Sequence, residues 1–140
     1  MSRSDRPAAL PPGTTIGILG GGQLGRMTVA AASQLGYRCH IFCQSPDEPA
    51  AQIAHQITIA AFTDTGALES FAANIGVATL EFENIPLSSV EYLEARATVR
   101  PSSRALAVAQ DRIKEKDFIT VAGIATAPYR AVASRAELTD

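Results

Sequence analysis

Thr15-Ile-Gly-Ile-Leu-Gly-Gly-Gly-Gln-Leu-Gly-Arg-Met27 is the stretch that decides the fold. It opens with a short apolar run that reads as a buried strand over 15–19 and passes into glycines. Residues 23–35 come next, with Leu24, Met27, Ala31 and Leu35 at helical spacing, and Gly36 ends the helix. Gly20-x-Gly22-x-x-Gly25 therefore lies between a strand and a helix, where a phosphate-binding loop belongs. Gly20 lets the chain turn sharply, Gly22 has no Cβ to keep a phosphate off the backbone, and Gly25 lets the helix pack close. The helix N-terminus adds free N–H groups and about half a positive charge. Gly20, Gly21, Gly22, Gln23, Leu24 and Gly25 are thus candidates for holding an anion. The competing explanation is a tight turn that uses glycine for packing alone.

Outward from this loop the chain keeps alternating between two periods. Strands are expected over 37–42, 56–60 and 77–82, with a minimal fifth over 98–100. Residues 46–54 read as a loop. Asp64 can cap a helix that runs to residue 75 with Leu68, Phe71, Ala72 and Ile75 on one face, closed by Gly76. Further helices are expected over 86–96, from Ser102 or Ser103 to 110, and over 111–122. Strands alternating with helices make βαβ units, so the spacing predicts an α/β domain with an open, doubly wound parallel sheet over residues 14–100. Residues 1–13, with three prolines, read as a flexible leader. Residues 101–140 read as linker helices and the start of a second domain. Ser134-x-x-Glu137 is a capping box that opens a helix three residues before Asp140, which suggests part of a longer protein.

The composition narrows the function. Among 140 residues, 46% are apolar and 19% charged, which suits a folded domain rather than a disordered chain. A net charge of -2 forces no basic face, so nucleic acid is a disfavoured partner. No apolar run is long enough for a bilayer, and the N-terminus lacks a signal-peptide core, so no membrane association is expected. Cys39 and Cys43 are too few for a disulfide framework or a zinc site and read as buried thiols in a reducing, cytoplasmic setting. His40 and His55 lack partners at ligand spacing and read as structural. No nucleophile-and-base arrangement stands out.

The nature of the anion is set by an absence. A dinucleotide domain places an acid at the end of its second strand. Here residues 40–45 contain none, and Asp47 and Glu48 come only in the following loop. That disfavours NAD, while Arg38 lies too early in the strand to serve NADP, so a simple phosphate monoester fits the loop better. At the end of the fourth strand, Glu81 and Glu83 alternate with Leu80 and Phe82, so both carboxylates are expected on one face, opening toward the glycine loop. Such carboxylates suit ribose hydroxyls or an amine; solvent exposure or capping of the next helix is the plainer alternative. The stretch 111–118, with Arg112 and Lys116 one turn apart, reads by itself as a solvated helical face.

Five segments together go further: Gly20-Gly-Gly-Gln-Leu-Gly-Arg-Met27, Pro49-Ala-Ala-Gln-Ile-Ala54, Glu81-Phe-Glu-Asn-Ile-Pro86, Asp111-Arg-x-x-x-Lys116 and Thr126-Ala-Pro128. Over about residues 14–130 the chain resembles the N5-carboxyaminoimidazole ribonucleotide synthetases of the ATP-grasp superfamily. The resemblance implies a purine-biosynthesis ligase that uses ATP and bicarbonate, through carboxyphosphate, to carboxylate 5-aminoimidazole ribonucleotide, releasing ADP and phosphate. It implies a Rossmann-like substrate domain ahead of the ATP-grasp domain. By the same resemblance the glycine loop, with Gln23 and Leu24, and Glu81 hold the ribonucleotide, and Arg112 contacts ATP. Mg²⁺ and most ATP contacts would fall to later parts of such an enzyme, with a homodimer as the full-length state. The chain alone would then be inactive. Sister ligases of the superfamily would carry Glu where Gln23 stands. An NAD(P)-binding oxidoreductase domain and a non-catalytic nucleotide-binding module remain the readings from other classes.

Overall fold

The computed structural model describes residues 9–138. Four strands, β1 (Thr15–Leu19), β2 (Arg38–Cys43), β3 (Gln56–Ile59) and β4 (Val77–Leu80), form one parallel sheet in the order β3-β2-β1-β4. Helix α1 (Gln23–Gln34) joins β1 to β2, α2 (Thr65–Ala72) precedes β4, and α3 (Leu87–Glu94) comes after it. The expected fifth strand is reduced to a single parallel bridge between Ala78 and Val99. Helices α4 (Ser103–Ala109) and α5 (Arg112–Val121) come next. The chain divides into two units, one ending at Ser103 and the other beginning at Arg104.

The sheet is covered on both faces, as the doubly wound reading requires. On one side Ile18, Cys39, Ile41 and Cys43 pack with Val29 and Ala32 of α1 and with Ala50 and Ala51 of the β2–β3 loop. On the other, Phe42 meets Phe71 of α2 edge to face at 5.4 Å and Phe62 stacked at 5.7 Å. A side chain at Gly17 would come within 2.6 Å of the Phe71 ring, so glycine there lets α2 seat against β1. Asp64 caps α2 by accepting the Ala67 N–H, and Gly36, at φ +81°, closes α1.

Helix α1 departs from its expected orientation. Gly25, Val29 and Ala32 face the core, whereas Leu24, Met27 and Leu35 are 60% or more exposed. Small residues face inward because the helix starts directly above the sheet at the glycine loop, where no room exists for larger ones. The end of the expected leader is tied down. Gly13 N–H donates to Gly36 C=O, and Tyr37 O–H donates to Leu10 C=O. Residues 1–8, 139 and 140 lie outside the described residues, and with them most of the expected leader and the last two positions of the helix expected to open at Ser134. At Ser134 the hydroxyl does meet Glu137 Oε1 at 3.0 Å, but the chain beyond it makes one 3₁₀ turn over Ala136–Leu138. Among the described residues no helix is long and apolar enough to cross a membrane.

Candidate functional site

The strand order reverses direction between β1 and β4, because β2 and β3 lie on one side of β1 and β4 on the other. Ligands of open α/β sheets bind outside the carboxyl ends of strands at such a switch point. Leu19 is in register with Leu80, so the residues that leave the sheet side by side are Gly20 and Glu81. Gly20 N–H donates to Phe42 C=O, and Glu81 N–H donates to Leu19 C=O, which fixes where both side branches begin.

Glu81 is half-buried, and its carboxylate lies against the loop. A Cβ at Gly22 would sit 2.5 Å from Glu81 Oε1, and one at Gly20 would sit 2.7 Å from Oε2. Gly20 also has φ +108°, which a side chain would strain. At Gly20 a side chain would also meet Glu81 Cβ and Phe82 Cδ1 at 2.9 Å, whereas at Gly22 it would displace only the movable carboxylate end. Gly25 is constrained differently, since its Cβ would press on Ala50 Cβ and Gly20 C=O at 3.2 Å. Helix α1 opens at Gly22 without a side-chain cap, and Gln23 and Leu24 stand exposed on its first turn. An uncapped helix N-terminus thus adjoins a carboxylate. The first suits an anion and the second a hydrogen-bond donor, so one ligand carrying both groups can satisfy the pair.

The expected partnership of Glu81 with Glu83 does not form on one strand face. Strand β4 stops at Leu80, and with it the alternation stops. Glu81 continues onto the glycine loop, while Glu83 is exposed in the turn before α3.

Sequence reasoning missed Glu48, having noted it only as too late to serve a dinucleotide. Its carboxylate accepts three backbone N–H groups, from Gly21 at 3.0 Å, Gln44 at 2.8 Å and Ser45 at 3.0 Å. The segment around it is locked to the loop and to α1. Ala50 N–H donates to Gly21 C=O at 2.7 Å, and Arg26 Nη1 donates to Pro49 C=O and Gln52 Oε1. That is the physical content of the Arg26 and Pro49-Ala-Ala-Gln52 positions: a clamp between loop and helix. The signal that could have found it is an acid directly before that Pro-Ala-Ala run. Cys43 lies beneath, its thiol pushed up by burial and by the Glu48 charge, so it is an unreactive packing group.

In the second unit, Asp111 caps α5 by accepting the N–H groups of Ile113 and Lys114. These two bonds hold its carboxyl below the usual range, that from Lys114 most. Arg112 is exposed on the first turn and ion-paired with Glu115. Lys116 reaches Ala127 C=O and lies over the Tyr129 ring, so the Lys116 and Thr126-Ala-Pro128 segments meet. A shallow recess of about 570 Å³ lined by Glu94, Arg96 and Arg100 lies away from the glycine loop. It opens where α3 ends, at the amino ends of the strands, so the geometry of open α/β sheets does not favour it as a ligand site.

An α/β domain with a glycine loop and polar groups gathered at its switch point has the architecture of the nucleotide- and phosphate-binding class. Its family is shown: residues 13–110 match the ribonucleotide synthetase preATP-grasp domain, and the chain belongs to that family. Among curated proteins it is 48% identical over 124 residues to the N5-carboxyaminoimidazole ribonucleotide synthase of Brucella melitensis, covering 89% of this chain and 34% of that protein. A solved ADP complex of an N5-carboxyaminoimidazole ribonucleotide synthetase superposes with a TM-score of 0.88 at 39% identity, over 93% of this chain and 34% of that one. The corresponding synthase from Aspergillus clavatus, in complex with ADP and 5-aminoimidazole ribonucleotide, superposes at 0.72 with 28% identity, over 80% and 30%. The chain therefore spans about a third of the length of these proteins.

Proposed function

We propose that this chain is the ribonucleotide-binding part of an ATP-dependent carbon–nitrogen ligase, which carboxylates the amine of 5-aminoimidazole ribonucleotide with bicarbonate. The observation that carries the reading is the Glu81 carboxylate set against the Gly20–Gly25 loop at the switch point. The substrate has a phosphate monoester at one end and hydroxyls and an amine beyond it, which is the combination the site asks for. In this reading the N-terminus of α1 holds the phosphate, with Gln23 and Leu24 beside it. Gly20, Gly21, Gly22 and Gly25 keep the backbone clear, and Glu81 accepts hydrogen bonds from the ribose hydroxyls or the amine.

ATP activates bicarbonate as carboxyphosphate, whose carboxyl group passes to the substrate amine as phosphate leaves. Holding the ribonucleotide still makes that transfer effectively unimolecular. Arg112 suits ATP phosphates, because its guanidinium is always charged and would exchange Glu115 for a more highly charged partner. Among the described residues no group of three or more His, Cys, Asp or Glu could hold a metal. In this reading Mg²⁺ falls mainly to the ATP-grasp domain. Residues 14–100 are the substrate domain, and residues 101–140 lead into the ATP-grasp domain. For the intact enzyme we infer a cytoplasmic homodimer, without nucleic-acid or membrane partners. Calorimetry with 5-aminoimidazole ribonucleotide, NAD and NADP tests the reading. The ribonucleotide should bind and NAD should not; NAD binding without ribonucleotide binding would overturn it.

A further inference from the structure

Gly21 lies in the middle of the glycine loop, and the backbone groups on both sides of its Cα are already occupied. Its N–H goes to Glu48 Oε2, and its C=O takes the Ala50 N–H. The second oxygen of Glu48 accepts Gln44 and Ser45 N–H just past the end of β2. In dinucleotide-binding folds these two places face the ligand: loop N–H groups turn to a pyrophosphate, and the end of β2 turns to a ribose. Glu48 has the acid chemistry that a ribose would look for, but both of its oxygens already accept backbone donors, Oε2 one and Oε1 two. A Cβ on Gly21 would lie 2.5 Å from Glu48 Oε2, which shows how closely the carboxylate fills this corner.

We propose that Glu48 is a positioning and specificity-determining residue of the site, a built-in carboxylate standing where part of a dinucleotide would lie. It fixes the loop so that the N-terminus of α1 is left for one phosphate monoester, and it closes the corner that a second phosphate and ribose would need. The monoester part of this inference rests on the proposed function; the occupation of Gly21 does not.

The physical lever is the count of acceptors. Glu48→Gln keeps the shape but replaces one oxygen with an NH₂ group. That group must then face either the Gly21 N–H or the pair from Gln44 and Ser45, donor against donor. Glu48→Ala empties the corner. The Arg26 bonds to Pro49 and Gln52 do not involve Glu48, so the segment keeps its second anchor in both variants.

The test uses the 140-residue chain with ¹⁵N NMR and calorimetry, the probes being 5-aminoimidazole ribonucleotide and NAD. In the wild type, saturating ribonucleotide should shift the Gln23 and Leu24 amides and leave Gly21 in place. In Glu48→Gln, exchange at Gly21, Gln44 or Ser45 should quicken at least tenfold while the β1 and β2 ladder stays protected, and the ribonucleotide Kd should rise about tenfold. In Glu48→Ala, NAD affinity should increase at least tenfold over the wild type. A Gly21 amide that moves with the ribonucleotide as far as Gln23 would overturn the proposal. So would folded variants with unchanged ribonucleotide and NAD affinities. The wild-type spectrum decides even where a variant does not fold. A wild-type chain that binds no ribonucleotide sinks the proposed function instead, and the exchange and NAD measurements still decide the role of Glu48.

Discussion

At the scale of single residues, the candidate site divides by how far each partner lies along the chain. Gly20, Gly22 and Gly25 are legible because loop, strand and helix are contiguous, and the pattern states its own geometry. Glu81 is legible through the rule that ligands gather at strand ends, although strand alternation also predicted a companion in Glu83 that the end of β4 removes. Glu48 is not legible, because its bond to Gly21 spans 27 positions and depends on how a loop without regular structure folds back. Glu81→Gln should weaken ribonucleotide binding about tenfold or more, since charge-assisted bonds contribute roughly 1.5–3 kcal/mol, while Tm moves little. Unchanged affinity in a folded variant would make Glu81 a packing residue. His40 supports a second prediction. It is 1% exposed, meets Thr58 Oγ1 through Nε2 and packs on Phe71, and burial pushes its pKa down to about 4. The unfolded chain takes up that proton below its ordinary value near 6.5, while the fold does not. Stability is therefore full above that value and falls with pH toward 4, at up to about 1.4 kcal/mol per pH unit. Urea midpoints between pH 7 and 4.5 should show this loss in the wild type and a smaller one in His40→Asn. Parallel curves for the two proteins would refute it.

At the scale of elements, type and order can be read from periodicity, but orientation cannot. The spacing of Leu24, Met27, Ala31 and Leu35 is helical, and a helix forms there, yet this stripe is not its buried face. Hydrophobic spacing assumes that the largest apolar residues choose the core. In α1 the choice is made by the loop instead. Gly25 must lie over Gly20 C=O and Ala50, and with it fixed the helix brings Val29 and Ala32 inward at three- and four-residue steps. Short strands show the complementary weakness, since β4 ends two residues before its apolar alternation does. Paired substitutions separate the two faces of α1. Val29→Ala removes two buried methyl groups from the Ile18–Cys39–Ile41 cluster and should cost about 2 kcal/mol by chemical denaturation. Met27→Ala, at 60% exposure, should change stability by no more than about 0.5 kcal/mol. The opposite ranking would mean that α1 is turned the other way.

At the scale of the whole molecule, the two kinds of chemistry fall on different units. The glycine loop, Glu48 and Glu81 belong to the unit that ends at Ser103, and Arg112 belongs to the one that begins at Arg104. The family match, over residues 13–110, is to a domain defined by its place ahead of an ATP-grasp domain. Binding and turnover should therefore separate in this chain. Phosphoryl transfer needs several cationic groups and metal ions arranged around the transferring phosphate. The one cation that the family resemblance assigns to ATP, Arg112, is exposed and paired with Glu115, and an exposed ion pair supplies little energy with which to hold a nucleotide. The proposed ribonucleotide site, by contrast, has its loop, its helix N-terminus and its carboxylate within one unit. The 140-residue chain should bind 5-aminoimidazole ribonucleotide yet show no ribonucleotide-dependent ATP hydrolysis with bicarbonate and Mg²⁺ present. A coupled ADP-release assay, run beside calorimetry on the same preparation, measures both. ADP release that rises with added ribonucleotide would show that the ATP chemistry is already assembled within these residues, and would overturn its assignment to the ATP-grasp domain of the longer relatives.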